Sequence, residues 1–249
     1  MRKASGCFLP QSGNVGAMDP IITIDSICKH FGGLQALDRV SFSVAEGSIT
    51  SLIGPNGAGK TTMFNVIAGT LKPDRGRVEF EGEDITGLRP YQICSRGISR
   101  TYQLKNVFPN LTVFDNVLSG MLKERGRLAD KYGEVLEILD FVGLREKAKV
   151  VVSNLPPLEA KFVELGRALA THSRLLLLDE LIGGLIPSET DLICDAAERL
   201  RQRGYTILQV GHEMGPIMRT SDWVVVLNKG QKLAEGTPDE VRRDETVQA

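Results

Sequence analysis

Gly54-Pro55-Asn56-Gly57-Ala58-Gly59-Lys60-Thr61-Thr62 carries the spacing G-x-x-x-x-G-K-[ST]. It follows the apolar run Ser51-Leu52-Ile53 and precedes Met63-Phe64-Asn65-Val66-Ile67-Ala68, which can wind as a helix. Strand, glycine-rich loop and helix in that order make a phosphate-binding loop. Glycines let the backbone curl until successive N–H groups point inward at phosphate oxygens, and the helix N-terminus adds positive potential. In that arrangement Lys60 reaches the β- and γ-phosphates, the Thr61 hydroxyl ligates Mg²⁺, and Thr62 is a second hydroxyl close by. An ordinary glycine-rich turn is the plain alternative, and the flanking strand and helix signals argue against it. The stretch predicts a site for a nucleoside triphosphate such as ATP.

The chain is 249 residues long, ample to bury its own core, with 42% hydrophobic and 24% charged residues as in ordinary globular proteins. A formal net charge of −1 supplies no global basic field for nucleic acid or lipid headgroups. Cys7, Cys28, Cys94 and Cys194 are scattered without C-x-x-C spacing, so reduced structural thiols are expected rather than a metal site. No run approaches the roughly 20 apolar residues of a membrane helix, so any membrane association is expected to come through a partner. Residues 1–17 are Gly/Ser-rich, with only Cys7-Phe8-Leu9 as an apolar cluster. They read as a disordered tail rather than a secretory signal, and Met18 is an alternative start.

Ile21–Ile24 and Val40–Val44 alternate with period two, as half-buried strands do, and Ser48–Ile53 feeds the phosphate loop. Arg77–Phe80 follows a Pro73-Asp74-Arg75-Gly76 turn, which places a β-rich element beside the loop. From about Tyr102 to Leu158 strand signals are few, and Val135, Leu136, Ile138, Leu139 and Val142 mark a helical face. This region reads as a helical lobe inserted in a single domain spanning 18–249. Leu175-Leu176-Leu177-Leu178 is a strand buried on both faces. Pro187-Ser188 with Asp191 starts a helix by capping chemistry, Thr206–Val210 and Trp223–Leu227 are two more buried strands, and Thr237-Pro238-Asp239-Glu240 caps a short terminal helix. Strands alternating with helices predict an α/β fold with a largely parallel sheet and nucleotide at the strands' carboxyl ends.

The strand Leu175–Leu178 ends in Asp179-Glu180. Two acids at the tip of a buried strand complement a phosphate loop: Asp179 can hold Mg²⁺ through water, and Glu180 can polarise an attacking water. Solvated acids at a strand-end turn are the plain alternative.

With these residues in place, the chain resembles the ATP-binding subunits of ABC transporters from Ile21 to Val241. The resemblance rests on Phe31 in Lys29-His30-Phe31-Gly32-Gly33-Leu34, on Gln103 in Ser99-Arg100-Thr101-Tyr102-Gln103, on Asp179-Glu180, and on His212 in Val210-Gly211-His212-Glu213, in the family's order and separation. Phe108-Pro109-Asn110-Leu111-Thr112-Val113 and Phe31-Gly32-Gly33-Leu34 look like the group that imports branched-chain amino acids. Relatives that handle urea or other amides look similar.

The resemblance implies that Phe31 stacks on adenine, although a simple core aromatic fits the sequence equally. It implies that Gln103, where the helical lobe begins, meets Mg²⁺ or the attacking water, so that lobe motion reports the γ-phosphate to a membrane partner. A surface glutamine is the alternative. It implies that His212, at the end of a strand, donates to the γ-phosphate, where a lone histidine is otherwise structural. The catalytic set is then Lys60, Gln103, Glu180 and His212, with Thr61, Gln103 and Asp179 at Mg²⁺. The implied partners are transmembrane permease subunits, a second ATP-binding subunit and, indirectly, an extracytoplasmic solute-binding protein. The implied location is peripheral, on the cytoplasmic face of the cell membrane. Nucleic acid is not an expected partner.

The chain departs from the family at its signature segment. Where an LSGGQ-type sequence is expected, before the helix Ala160–Ala170, it has Leu155-Pro156-Pro157-Leu158-Glu159. In the family two subunits pack head to tail, and the signature of one closes over nucleotide on the other's phosphate loop. Pro156 and Pro157 have no N–H to offer, Leu158 is bulky where glycine admits close approach, and Glu159 repels phosphate if it faces it. Leu181 replaces a usual proline, and Ile186 a usual Asn or Asp at the dimer seam. This chain's own nucleotide site is thus complete, while its contribution to a facing site is compromised. A heterodimer with an intact partner is favoured, and a homodimer remains possible. Three readings follow: a transport ATPase, a nucleotide-binding but hydrolytically impaired regulatory subunit, and a soluble relative acting on nucleic acid or ribosomes. The last usually joins two cassettes or carries a long coiled coil, and this chain has neither.

Overall fold

A computed structural model describes residues 19–101, 107–122, 128–179, 183–211 and 213–248. Three cores organise them, and strand periodicity assigns residues to each. The strand β3 (Ile49–Ile53) enters the phosphate loop, and β7 (Leu175–Asp179), β8 (Thr206–Val210) and β9 (Trp223–Asn228) accompany it in one sheet. That sheet has six strands in the order β10-β9-β3-β8-β7-β6, completed by β6 (Ile98–Arg100) and β10 (Gln231–Gly236). All neighbours run parallel except β10, which pairs antiparallel with β9 at the edge. On β7, Leu176 and Leu178 enter one core while Leu175 and Leu177 enter another. On β9, Val225 and Leu227 take one side while Val224 and Val226 take the other. Side chains alternate across a strand, so a continuous apolar run is what burial on both faces requires.

The second sheet is antiparallel, ordered β2-β1-β4-β5, from β1 (Pro20–Phe31), β2 (Leu34–Ala45), β4 (Arg75–Phe80) and β5 (Glu83–Asp84). β1 and β2 reach well past the alternating segments that mark them in sequence. Register shifts break their pairing at Ile24/Ile27 and again nearer the hairpin tip, and such bulges erase the period-two signal that sequence reading depends on. The inner face of this sheet shares a core with the phosphate-loop helix α1 (Lys60–Ile67) through Ile22, Ile24, Phe42, Met63 and Phe64. A short helix, α2 (Pro90–Ser95), precedes β6.

The lobe holds α3 (Val113–Ser119) and α4 (Leu128–Phe141), and α5 (Pro157–Leu169) packs against both. Val117, Ile138, Leu139, Val142, Val163 and Leu169 form its interior. Thr112 caps α3, its hydroxyl accepting from the Asp115 N–H at 3.0 Å. Asn116, fully buried, donates to the carbonyls of Phe108 and Thr112 at 3.0 and 2.9 Å and accepts from the Phe108 N–H at 2.8 Å. Its side chain thereby fixes the Phe108–Thr112 loop.

The helix α6 (Pro187–Gln202) is capped differently from the sequence expectation. Glu189, rather than Ser188 or Asp191, reaches back to accept the Ile186 N–H at 3.1 Å. α7 (Met214–Thr220) follows β8. Buried Gln209 ties the two together, donating to the hydroxyls of Ser51 at 2.8 Å and Thr220 at 3.1 Å. The chain closes with α8 (Pro238–Arg243), capped reciprocally by Thr237 and Glu240, and α9 (Glu245–Gln248). Cys28, Cys94 and Cys194 are not in disulfides.

Candidate functional site: a phosphate loop braced by two sheets

β3 ends at Ile53, the loop Gly54–Gly59 follows, and α1 begins at Lys60. Its first internal bond runs from the Met63 N–H to the Gly59 carbonyl at 2.9 Å, so the N–H groups of Thr61 and Thr62 have no acceptor within the helix. The loop is held from outside as well. The Gly230 N–H, in the β9–β10 turn, donates to the Ala58 carbonyl at 3.0 Å, and the Gly230 carbonyl accepts from the Asp38 N–H at 2.7 Å. Both sheets therefore fix the loop before any ligand arrives.

Two glycines are dictated by that bracing. Gly54 has φ 145°, and a Cβ there would stand 2.1 Å from the Leu227 carbonyl oxygen; Gly59 has φ 101°, and its Cβ would meet the Ala36 carbonyl oxygen at 2.7 Å. Neither neighbour is a flexible side chain. Gly54→Ala combines backbone strain with overpacking and is expected to cost about 3 kcal/mol of stability. Thermal unfolding of the variant measures it, and loss of nucleotide binding should accompany it.

Lys60 is 7% exposed, and its Nζ donates to the carbonyls of Gly54 at 2.6 Å and Pro55 at 2.9 Å. The ammonium thus lies folded within the loop. Phosphate oxygens are stronger acceptors than neutral carbonyls, so a phosphate entering the loop can take those hydrogen bonds. Thr61 is exposed and Thr62 half-buried; Pro55, Asn56 and Gly57 are exposed while Ala58 is buried.

Asp179 ends β7, and its carboxylate is 10% exposed. Arg100, at the end of the neighbouring β6, is 6% exposed and donates to Asp179 Oδ2 at 2.6 Å and to Asn65 Oδ1 on α1 at 2.7 Å. Its guanidinium also lies 5.7 Å from the Phe64 ring centroid. This bridge joins the carboxylate strand to the phosphate-loop helix. Arg100 stands in the quoted Ser99–Gln103 segment, yet its role was not legible there. It follows from β6 pairing parallel with β7, which places Arg100 opposite Leu177. A cation ending a short strand near a strand that ends in acids is the one available signal. Arg100→Met keeps bulk and removes charge, leaving Asp179 without its nearest cation. We expect a loss of about 3 kcal/mol, read as a fall of roughly 6–12 °C in melting temperature for a chain of this size. ATP with Mg²⁺ should restore part of it.

Among the described residues no three His, Cys, Asp or Glu side chains gather as a metal site. Mg²⁺ does not need such a cage: one or two carboxylates, a hydroxyl, waters and substrate phosphates suffice. Thr61 and Asp179 are donors of that kind, and the ion would neutralise charge on the phosphates it bridges.

Phe31 is 49% exposed at the tip of the β1–β2 hairpin, beside Gly32 and Gly33, and is not a core residue. Its approach is held by Asp74, which accepts from Lys29 Nζ at 2.8 Å and from the His30 N–H at 2.6 Å. Those contacts lower the Asp74 carboxyl to about 2, so the anchor stays ionised at any pH where the protein works. An exposed ring on a tethered strand end can stack on a flat base. Gln103, Glu180, Leu181 and His212 lie outside the described residues.

The signature segment forms the start of α5, with Pro156 at the N-cap and Pro157 at the first helical position. Glu159 does not stand as a bare charge: both its carboxylate oxygens accept from Lys147 Nζ, at 2.6 and 2.7 Å. Behind it, buried Lys161 donates to the Gly183 carbonyl at 2.7 Å, tying α5 to the segment that leads to Ile186, itself 60% exposed.

A protein-family model described as "ABC transporter" matches residues 37–183. The chain belongs to the ABC transporter family of ATP-binding proteins. It is an ATP-binding and ATP-hydrolysing cassette of that family. A second model, described as "Branched-chain amino acid ATP-binding cassette transporter", matches residues 231–249. The chain is 36% identical over 244 residues to the high-affinity branched-chain amino acid transport ATP-binding protein LivG of Salmonella typhimurium, covering 92% of this chain and 96% of that protein. It is 35% identical over 246 residues to the corresponding protein BraF of Pseudomonas aeruginosa, with the same coverage. A crystal structure of an ABC transporter ATP-binding cassette in its ADP conformation superposes with a TM-score of 0.85 at 34% identity, over 92% of this chain and 97% of that one. The α/β cassette with its parallel core sheet, flanking antiparallel sheet and helical lobe is therefore the family's fold.

Proposed function

We propose that this ABC cassette powers uptake of branched-chain amino acids through transmembrane permease subunits to which it docks on the cytoplasmic face of the membrane. A solute-binding protein delivers the amino acid to the permease and meets the cassette only indirectly. The observation that carries the reading is a likeness to the branched-chain group both over most of the chain and in its last residues. The likeness to LivG and BraF covers 92% of the chain, and residues 231–249 match the model of the branched-chain group. Among the described residues no helix is long and apolar enough to cross a membrane, in keeping with attachment through a partner. Deleting the encoding gene and measuring uptake of radiolabelled leucine, isoleucine and valine tests this. Uptake should fall and return with the wild-type gene but not with Lys60→Ala; unchanged uptake overturns the assignment.

In this reading ATP and Mg²⁺ bind Gly54–Thr62, Thr61, Gln103 and Asp179, while Glu180 orients the attacking water and His212 and Lys60 meet the γ-phosphate. The nucleotide is closed over by the signature of a second ATP-binding subunit. A different partner with an intact signature is favoured over a second copy, because Pro156, Pro157 and Leu158 supply a poor lid in return. A hydrolytically impaired regulatory subunit is the second reading, favoured by those same three residues. The Lys147–Glu159 pair weakens it, because the acid that would repel phosphate is already neutralised.

A further inference from the structure

We propose that the groove between the two sheets, at the end of the molecule away from the phosphate loop, is a second binding site for a small organic cation, an amine or amidinium carried on a flat apolar body. The groove has a volume of about 590 Å³, within the range of small-molecule sites. Its location follows from β3. Leu52 packs toward the antiparallel sheet, and Thr50, two residues earlier, faces the same way. Thr50 stands near the amino end of β3 while Gly54 follows its carboxyl end, a separation of about 13 Å along the strand. None of the nucleotide-site residues lines the groove.

The lining has a built character. Thr50 is 1% exposed, yet its hydroxyl has no hydrogen-bond partner. A buried hydroxyl left unpaired has lost its hydration without compensation, so a ligand N–H reaching it gains a preformed acceptor. Ile24 and Phe42 add apolar wall, and Trp223, 37% exposed, adds an indole.

Charge selects the ligand. Asp25, Asp222 and Glu235 line the groove against one cation, Lys232, which is already paired with Glu235 at 2.5 Å. Asp222 accepts the Ile49 N–H through Oδ2 at 2.8 Å, and its Oδ1 meets Arg201 only at 3.9 Å. Asp25 accepts the Ser26 hydroxyl at 2.8 Å and, among the described residues, forms no ion pair. Two carboxylates lining the same groove as an indole favour a cation, through ion pairing and cation–π attraction, and disfavour an anion.

Trp223 is the single tryptophan of the chain, so its fluorescence reports this groove alone. Titrating the full chain with benzamidine should give a saturable change with half-saturation below about 1 mM, equally with and without ATP. Benzoate, the anion of the same shape, should give none. Asp25→Asn should weaken benzamidine at least about tenfold and Thr50→Val at least about threefold, with nucleotide binding unchanged. Trp223→Phe should remove the signal. Absence of saturation up to about 10 mM overturns the proposal, as do equal response to benzoate and undiminished affinity in Asp25→Asn.

Discussion

Lys60→Ala is expected to bring ATP turnover to background, a loss of at least about 10³-fold, while the protein remains folded. The structure explains both halves. Lys60 Nζ donates to two loop carbonyls, Gly54 and Pro55; bonds from a charged donor contribute about 1.5–3 kcal/mol each, but removing the ammonium also removes the cost of burying its charge. The loop keeps its shape through other contacts: the Gly230–Ala58 bond, the Asp38–Gly230 bond and the burial of Ala58, Met63 and Phe64. Removing the amine therefore costs little stability. In the nucleotide complex the same ammonium is a fixed positive charge beside transferring phosphate, in a loop whose own carbonyls must be screened from that anion. Phosphate release measures the loss, and the thermal unfolding midpoint of the empty protein measures the fold. Turnover above about a tenth of wild type would show that another cation serves the γ-phosphate. A collapse in melting temperature would show instead that the lysine holds the loop together.

Much of this architecture is legible in the sequence, and the limits are physical. Gly54–Thr62 is legible because a single local stretch supplies both geometry and chemistry. Leu175–Leu178 is legible because burial on both faces requires apolar residues at every position, and Leu176 and Leu177 enter opposite cores. Features set by pairing between distant segments are not legible. Gln231–Gly236 forms an antiparallel edge strand with only Gly236 buried, so neither apolar run nor alternation marks it. Arg100 meets Asp179 through a sheet register between residues far apart in the chain. Glu159 reads as a repulsive charge until Lys147, from the turn before it, is placed against it. The start of α6 carries several capping candidates, and only the folded geometry selects Glu189.

Combining Pro156→Ser, Pro157→Gly and Leu158→Gly is expected to raise ATP turnover of the purified chain about 10²-fold. Pro156 and Pro157 withhold two backbone donors at the start of α5, while Leu158 is half-buried and packs against the lobe core where the family has glycine. The three substitutions return a hydroxyl and two donors and give position 158 a glycine that admits close backbone approach. Glu159 is left in place because Lys147 already neutralises it. The loss of proline from the first helical position weakens α5 slightly, and loss of the half-buried Leu158 side chain from the lobe core costs about 2 kcal/mol more, but eight residues of the helix remain buried, including Val163 and Leu169, so the lobe holds. Affinity for ATP in the monomer should stay within about threefold, since the phosphate loop is untouched. Adding Lys60→Ala to the triple variant should abolish the gain, which would locate it in the composite site. If the triple variant associates on ATP but turns over no faster than wild type, the proline pair does not limit hydrolysis. The exposed Ile186 at the expected seam would then be the next residue to change. If wild type alone already turns over well above the Lys60→Ala variant, two copies of this chain suffice, and the argument for a different partner falls.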